Sequence, residues 1–86
     1  MHEMALMRDL IRAINRAAAE NQASRVVRVK LWLGALCHVT PEHLKSHYDE
    51  DAAGTLAANA MVDMVVSDDI HHPQAQDILL QTVEVE

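Results

Sequence analysis

The chain has 86 residues, half of them hydrophobic, and a formal net charge of −6 at pH 7. This length predicts a single small domain spanning residues 1–86, and no apolar run approaches the roughly 20 residues of a membrane-spanning helix. Excess acidity argues against a nucleic-acid partner, because phosphate repels it. The single cysteine, Cys37, excludes an internal disulfide and a metal site made only of thiolates. The N-terminus lacks the basic flank of a signal peptide, so we expect a cytoplasmic protein.

The charges are unevenly distributed along the chain. All seven lysines and arginines lie at or before Lys45, which gives residues 1–45 a net charge of +3 and residues 46–86 a net charge of −9. This division predicts either pairing within the chain or contact between unlike halves of two subunits.

The first predicted element is a helix from Glu3 to about Asn21. Its apolar residues recur at intervals of three and four and form one stripe: Met7, Leu10, Ile11, Ile14, Ala17 and Ala18. Arg8, Arg12 and Arg16 repeat every four residues on another side. These arginines form either a solvated face or a contact for an acidic partner.

A strand is predicted next, from Arg25 to Leu33, because apolar and other residues alternate there. One face is predicted to carry Val27, Val29, Leu31 and Leu33. The opposite face is predicted to carry Val26, Arg28, Lys30 and Trp32. Gly34 closes the strand.

A second helix is predicted from Pro41 to about Ala53. Thr40 suits the N-cap, Pro41 suits the first helical position, and Gly54 suits the C-terminal end. We therefore expect both ends of this helix to be fixed by local sequence.

The remaining elements are two strands, Met61–Ser67 and Ile78–Val85, separated by a polar loop at 67–76. The order α-β-α-β-β predicts an α+β fold of two layers, with a mixed three-stranded sheet and both helices on one face. We expect the last two strands to pair as a hairpin. On the second strand, Val62, Met64 and Val66 are predicted to share one side.

Several short motifs occur in a characteristic order along almost the whole chain. They are Met1-His2-Glu3-Met4-Ala5-Leu6, Ser24-Arg25-Val26 with Val29, Leu33-Gly34-Ala35-Leu36, Val39-x-Pro41-Glu42-x-Leu44, Gly54-Thr55-Leu56-Ala57 and Glu84-Val85-Glu86. In this order and spacing the chain resembles the HypA/HybF family of hydrogenase nickel-insertion metallochaperones.

The resemblance implies a nickel site at the N-terminus and a zinc domain inserted between the last two strands. It also implies two partners, a [NiFe]-hydrogenase large-subunit precursor and a nickel-insertion GTPase. In this chain the loop at 67–76 stands where the zinc domain would be, so we expect no structural zinc. The predicted function is transient Ni²⁺ carriage. The alternative is a protein-interaction module that docks on hydrogenase-maturation proteins without metal.

Met1, His2 and Glu3 are the predicted nickel ligands. A free α-amine, the amide nitrogen of His2 and its imidazole can bind one metal ion in fused chelate rings, a donor set that favours square-planar Ni²⁺ or Cu²⁺. Glu3 can complete the set through its amide or its carboxylate. The alternative is that His2 is simply an exposed residue.

Other histidines form secondary candidate metal ligands. His43 and His47 lie four apart on the second predicted helix and Asp51 follows four later, so all three share one stripe. The alternative is a polar flank with histidine–aspartate pairing. His71 and His72 lie in the polar loop, where they are either a metal contact or a solvated segment.

Sequence features of an enzyme are absent. There is no nucleophile triad, phosphate-binding loop or carboxylate pair, and Cys37 is predicted to be an inert thiol because no base neighbours it in sequence. We therefore do not expect an enzyme.

The face of the sheet that the helices leave uncovered is predicted to be partly apolar. It carries Trp32, then Met61 and Val65, and either Ile78 or Leu80 on the last strand. Monomers rarely keep such a patch exposed. We therefore expect a homodimer, or a larger even oligomer, packed through the sheet face around Trp32. The alternative is a monomer with a scattered apolar surface.

Overall fold

The computed structural model describes the backbone of residues 3–86 and the side chains from Leu6 onward. The elements are α1 (Glu3–Glu20), β1 (Val26–Leu33), α2 (Pro41–Ala52), β2 (Met61–Val66) and β3 (Ile78–Val85). All five predicted elements are confirmed, with only small differences at their ends.

The sheet is mixed, with strand order β2-β1-β3. β1 pairs with β2 in parallel and with β3 in antiparallel orientation. The helices cover one face, and the core lies between the two layers. The α+β prediction is confirmed, but the expected hairpin of β2 and β3 is wrong, because these strands lie on opposite edges. The loop between them is long enough to cross the end of β1. β1 takes the central position, where its buried apolar side chains are best covered.

A β-bulge corrects the predicted faces of β1. The register with β3 shifts between Val26 and Arg28, which leaves Val27 as the extra residue. Val26 is therefore buried, whereas Val27 is 39% exposed, the reverse of the prediction. From Val29 to the strand's end the predicted alternation is correct.

A second register shift lies between Lys30 and Leu31, opposite β3. It places Leu79 beside Trp32 on the uncovered face. Ile78 is buried and Leu80 packs against the core, so neither contributes to the uncovered face as expected.

β2 follows its predicted pattern only in part. Val62 and Met64 pack against the core, but Val66 is 58% exposed. Val66 is the last residue of an edge strand and lies beyond the part of the sheet that the helices cover.

Helix α2 begins and ends as its sequence indicates. The Thr40 hydroxyl accepts a hydrogen bond from the His43 amide at 3.2 Å, and Gly54 adopts φ +79° just beyond the helix. The buried side of α2 carries Leu44, Tyr48 and Ala52. The core is otherwise aliphatic, and Tyr48 donates a hydrogen bond to the Ala57 carbonyl at 2.9 Å.

The loop after β2 is docked tightly on the end of β1. The Gly34 amide donates to the Asp77 carbonyl at 2.9 Å, and the Leu36 amide donates to the Ala75 carbonyl at 2.7 Å. A Cβ atom at Gly34 would lie 2.2 Å from the Ala75 carbonyl oxygen. Glycine is therefore needed here for close approach of two backbones.

Some charges of the basic and acidic halves form ion pairs within the chain. Ion pairs join Arg25 to Glu86, Arg28 to Asp63 and Lys45 to Asp49. Each joins a cation of the basic half to an acid of the acidic half. Because all three pairs are exposed, each contributes at most about 1 kcal/mol to stability.

Candidate functional site

The predicted nickel ligands lie at the start of the chain. Met1 and His2 are outside the described residues, and Glu3 is the first residue of α1, with its side chain not described. The assignment of Met1, His2 and Glu3 as ligands stays a prediction.

His43 and His47 form a close pair on α2. Their Nε2 atoms are 2.9 Å apart and their ring centroids 4.6 Å apart. The pair exists because residues four apart lie on one side of a helix. The Thr40 cap orders the turn that carries His43. The predicted proximity of these two side chains is confirmed, whereas metal binding by them stays a prediction.

Asp51 continues the same stripe of α2 but does not join the pair. It lines a surface depression of about 260 Å³ with Arg8, Ile11 and Arg12 of α1. Its Oδ2 atom is buried and has no hydrogen-bond donor among the described residues. Among the side chains from Leu6 onward, no group of three or more histidine, cysteine and acidic residues is placed to hold a metal ion.

His71 and His72 each make a separate local contact in the loop. The His71 amide donates to Asp69 Oδ1 at 3.0 Å, which forms a tight turn. His72 Nδ1 accepts from the Gln74 amide at 3.0 Å, and its ring lies against Trp32 with centroids 4.8 Å apart. One nitrogen of His72 is therefore already engaged within the loop.

Cys37 is semi-buried as predicted, and its inertness stays a prediction. It is half-buried against the core, and its Sγ donates to the Val39 carbonyl at 3.7 Å. His38, beside it, is exposed and has φ +60°.

The three arginines of α1, Arg8, Arg12 and Arg16, are all exposed. Arg8 and Arg12 flank the depression at Asp51. Both predicted roles, a solvated face and a partner contact, stay open for them.

The uncovered sheet face combines one apolar row with two charged rows. Trp32 pairs with Val65 on one side and Leu79 on the other, and Val65 is 42% exposed. The next row places Lys30 between Asp63 and Thr82.

Further along the same face, Arg28 lies between Met61 and Glu84. It donates to the Met61 sulfur at 3.1 Å and pairs with Asp63 at 3.3 Å. The predicted patch is therefore real at Trp32, Met61 and Val65, but His72 covers part of Trp32.

Sequence reasoning missed three features of these surfaces. Tyr48 was not placed in the core, although its spacing of four from Leu44 and from Ala52 indicates the buried stripe. The depression at Asp51 needed the packing of α1 on α2, which no local pattern gives. The contact of His72 with Trp32 depends on the path of the loop. In the part of the chain that the structure describes, neither helix is long and apolar enough to cross a membrane.

Comparison with known proteins identifies the family. Residues 1–71 match the family model described as "Hydrogenase/urease nickel incorporation, metallochaperone, hypA". A hydrogenase maturation factor HypA from Rhodopseudomonas palustris is 45% identical over 65 residues, covering 76% of this chain and 58% of the relative. One from Rhizobium leguminosarum bv. viciae is 39% identical over 64 residues, covering 74% of this chain and 57% of the relative. The chain thus spans less than two thirds of the length of these relatives.

Solved structures agree on the fold. The solution structure of the Ni metallochaperone HypA from Helicobacter pylori superposes with a TM-score of 0.81 at 18% identity, covering 99% of this chain and 97% of that one. A second HypA solution structure gives a TM-score of 0.79 at 19% identity, covering 100% and 97%. Identities this low support the fold alone, whereas the sequence match over residues 1–71 establishes kinship. This chain belongs to the HypA family, whose members are metallochaperones and maturation factors, not enzymes.

Proposed function

We propose that this chain carries Ni²⁺ for hydrogenase maturation and holds it through Met1, His2 and Glu3. The observation that carries the proposal is the family match, which begins at residue 1 and so includes all three residues. The cargo is the metal ion itself. A site at the end of the chain suits capture and release more than storage.

The chemistry of the three residues fits such a site. The α-amine, a backbone amide nitrogen and an imidazole give nitrogen donors in fused chelate rings, which favour a planar d⁸ or d⁹ ion. The donors must lose protons to bind, so affinity rises with pH through neutrality. Copper binds nitrogen donors more tightly than nickel, so selectivity for nickel comes from supply and from partners.

Titration calorimetry of Ni²⁺ into untagged protein, produced with Met1 as its first residue, tests the proposal. We expect micromolar or tighter binding that is lost in His2→Ala and after a one-residue N-terminal extension, because the extension converts the α-amine to an amide. His71→Ala is the matched control and keeps the tight binding. If the tight binding is absent from the unaltered protein, the chain is instead a docking module without metal.

We also propose that the loop at 67–76 takes the place of the family's zinc domain and that the chain folds without structural zinc. A structural zinc site of the thiolate type needs several cysteines, and this chain has one. The partners would then be a hydrogenase large-subunit precursor and a nickel-insertion GTPase. A chelator that lowers the melting temperature of the purified protein would contradict the zinc-free proposal.

We propose that a second copy of the chain covers the apolar row of the sheet face. Trp32, Val65 and Leu79 form this row across all three strands. The neighbouring rows carry both signs of charge, so two copies packed face to face with opposed strand directions can place Lys30 or Arg28 against Asp63 or Glu84. Self-complementary charge of this kind is what a two-fold interface requires.

Light scattering at tens of micromolar protein tests this assembly. We expect a dimer mass that Trp32→Glu reduces to the monomer mass. Ala13→Glu, at an exposed residue of α1 away from the sheet face, should leave the mass unchanged. A monomeric unaltered protein, or an unchanged mass in Trp32→Glu, would contradict the proposal.

A further inference from the structure

The His43–His47 pair brings two metal-binding nitrogens close together. Their Nε2 atoms are 2.9 Å apart, His43 is exposed and His47 is half-buried. Both side chains stem from one helix, so the chelate needs no movement of the fold. An ion can reach the pair from solvent.

The separation of the two nitrogens is within reach of one metal ion. When a metal binds two imidazoles at about 2.05 Å, the nitrogens lie about 2.9 Å apart at a right angle and about 3.3 Å apart at the tetrahedral angle. The observed 2.9 Å is the distance of the hydrogen bond that joins the rings, and it lies close to both values. Ions that prefer nitrogen donors, such as Cu²⁺ and Ni²⁺, therefore need only small side-chain rotations to bind both rings.

The hydrogen bond within the pair is compatible with metal binding. Of two neutral rings, one donates from Nε2–H and the other accepts at Nε2. Metal binding requires the donor ring to carry its proton on Nδ1 instead of Nε2, so that both Nε2 lone pairs are available to the ion.

The packing of the helices gives the position of the pair in the domain. Asn15 of α1 accepts a hydrogen bond from the Ala57 amide at 3.1 Å, and Arg8 and Arg12 flank Asp51. α1 leads through a short segment into β1, α2 leads into β2, and these strands are parallel, so the two helices run in the same direction. His43 precedes Asp51 by two turns, about 12 Å along the axis, which places it level with the first turn of α1.

We propose that His43 and His47 form a bidentate site for a divalent metal ion such as Ni²⁺ or Cu²⁺. The site uses none of the three N-terminal ligands. It is weaker, because two monodentate imidazoles lack the fused rings of an N-terminal chelate. It offers a second point of attachment for the ion at the end of the domain where α1 begins.

The test uses full-length protein in which the N-terminal site has been removed by His2→Ala and a one-residue extension. Titration calorimetry with Ni²⁺ should show one weak binding event. His43→Ala and His47→Ala should each weaken it at least about tenfold, because each removes the chelate effect. His71→Ala, at an exposed histidine of the loop, is the matched control and should change nothing.

A spectroscopic readout and a stability readout complete the test. Copper bound to the same background should show coupling to two nitrogens in its electron paramagnetic resonance spectrum, reduced to one in His47→Ala. Saturating Ni²⁺ should raise the melting temperature of the background but not of His47→Ala, because the ion cross-links two turns of folded α2. Binding that is unchanged in His47→Ala, or absent from the background, would overturn the proposal.

Discussion

The two histidine pairs of this molecule show how backbone geometry, and not closeness in sequence, brings ligands together. His71 and His72 are adjacent in sequence, yet one follows a turn closed by Asp69 and the other lies against Trp32. His43 and His47 are separated by three residues, yet their Nε2 atoms are 2.9 Å apart. In a helix, side chains about four residues apart project in the same direction. In an irregular loop, neighbouring residues make contacts with different partners.

The largest expected loss of stability comes from displacing the loop that carries His71 and His72. Gly34→Ala should destabilise the fold by roughly 3 kcal/mol, because the added methyl group meets the Ala75 carbonyl and the loop must move. Urea unfolding measures the loss. Trp32 fluorescence should shift as His72 leaves it, while Ni²⁺ binding by the helix pair persists.

Gly54→Ala is the control for this substitution. Gly54 has φ +79° but open space around its Cβ position, so alanine should cost only about 1 kcal/mol. Equal losses for the two variants would show that close approach at Gly34 does not matter.

The next largest effect concerns the stability of α2, in which Tyr48 packs in the core next to His47 in sequence. Burial, and to a smaller degree Asp49, raises the pKa of Tyr48 to about 12. The folded state therefore keeps a proton that the unfolded chain releases near pH 10. The contribution of this retained proton to the free energy of unfolding is fully present below about pH 10. It is lost between pH 10 and 12, by roughly 2 kcal/mol.

Tyr48→Phe isolates this contribution. At pH 7 the variant should be about 1 kcal/mol less stable, because the Ala57 carbonyl loses its hydrogen bond. As the pH rises above 10, its free energy of unfolding should meet and then exceed that of the unaltered protein. Curves that stay parallel from pH 7 to 12 would contradict the assignment.

A smaller effect tests whether the helix pair depends on its cap. Thr40→Ala should cost about 1 kcal/mol and loosen the first turn of α2, which carries His43. The affinity of the pair for Ni²⁺ should decrease with it. Ser46→Ala, at an exposed position of the same helix, should preserve both the stability and the Ni²⁺ affinity. An undiminished affinity in Thr40→Ala would show that Ni²⁺ binding by His43 and His47 does not depend on the cap.

The smallest effect concerns the loop pair alone. His72→Ala removes a ring contact with Trp32 and should cost about 0.5 kcal/mol. Trp32 emission should move to longer wavelength as the indole gains solvent. His71→Ala should leave the emission as it was, and a matching shift there would mean that the contact does not govern Trp32.

Local patterns were enough to predict the elements and their ends. Thr40, Pro41 and Gly54 act on the backbone within a few residues, so their effects can be read from sequence. The approach of His43 to His47 follows from helical spacing for the same reason. The prediction that Met1, His2 and Glu3 bind nickel rests on the family resemblance and on the donor atoms of these residues, and it stays a prediction.

Long-range pairing was not predictable in this way. The register shift that buries Val26 and exposes Val27 arises in the pairing of β1 with β3, more than fifty residues away. The position of β3 beside β1 instead of β2 also depends on the whole sheet. Leu79 joined Trp32 on the uncovered face only because a bulge at Gln81 reversed the alternation.

The strand order has a consequence for engineering this domain. Val66 at the end of β2 and Ile78 at the start of β3 both lie level with Leu33, on either side of β1. Two strand spacings put them about 10 Å apart, a gap that the termini of many small folded domains can match. Doubling the length of the connecting segment costs only about 0.6 kcal/mol in chain entropy. A reporter or binding module inserted in the exposed part of the segment, at 68–71, would be carried at this end of the sheet while the contacts of Ala75 and Asp77 with the end of β1 are kept.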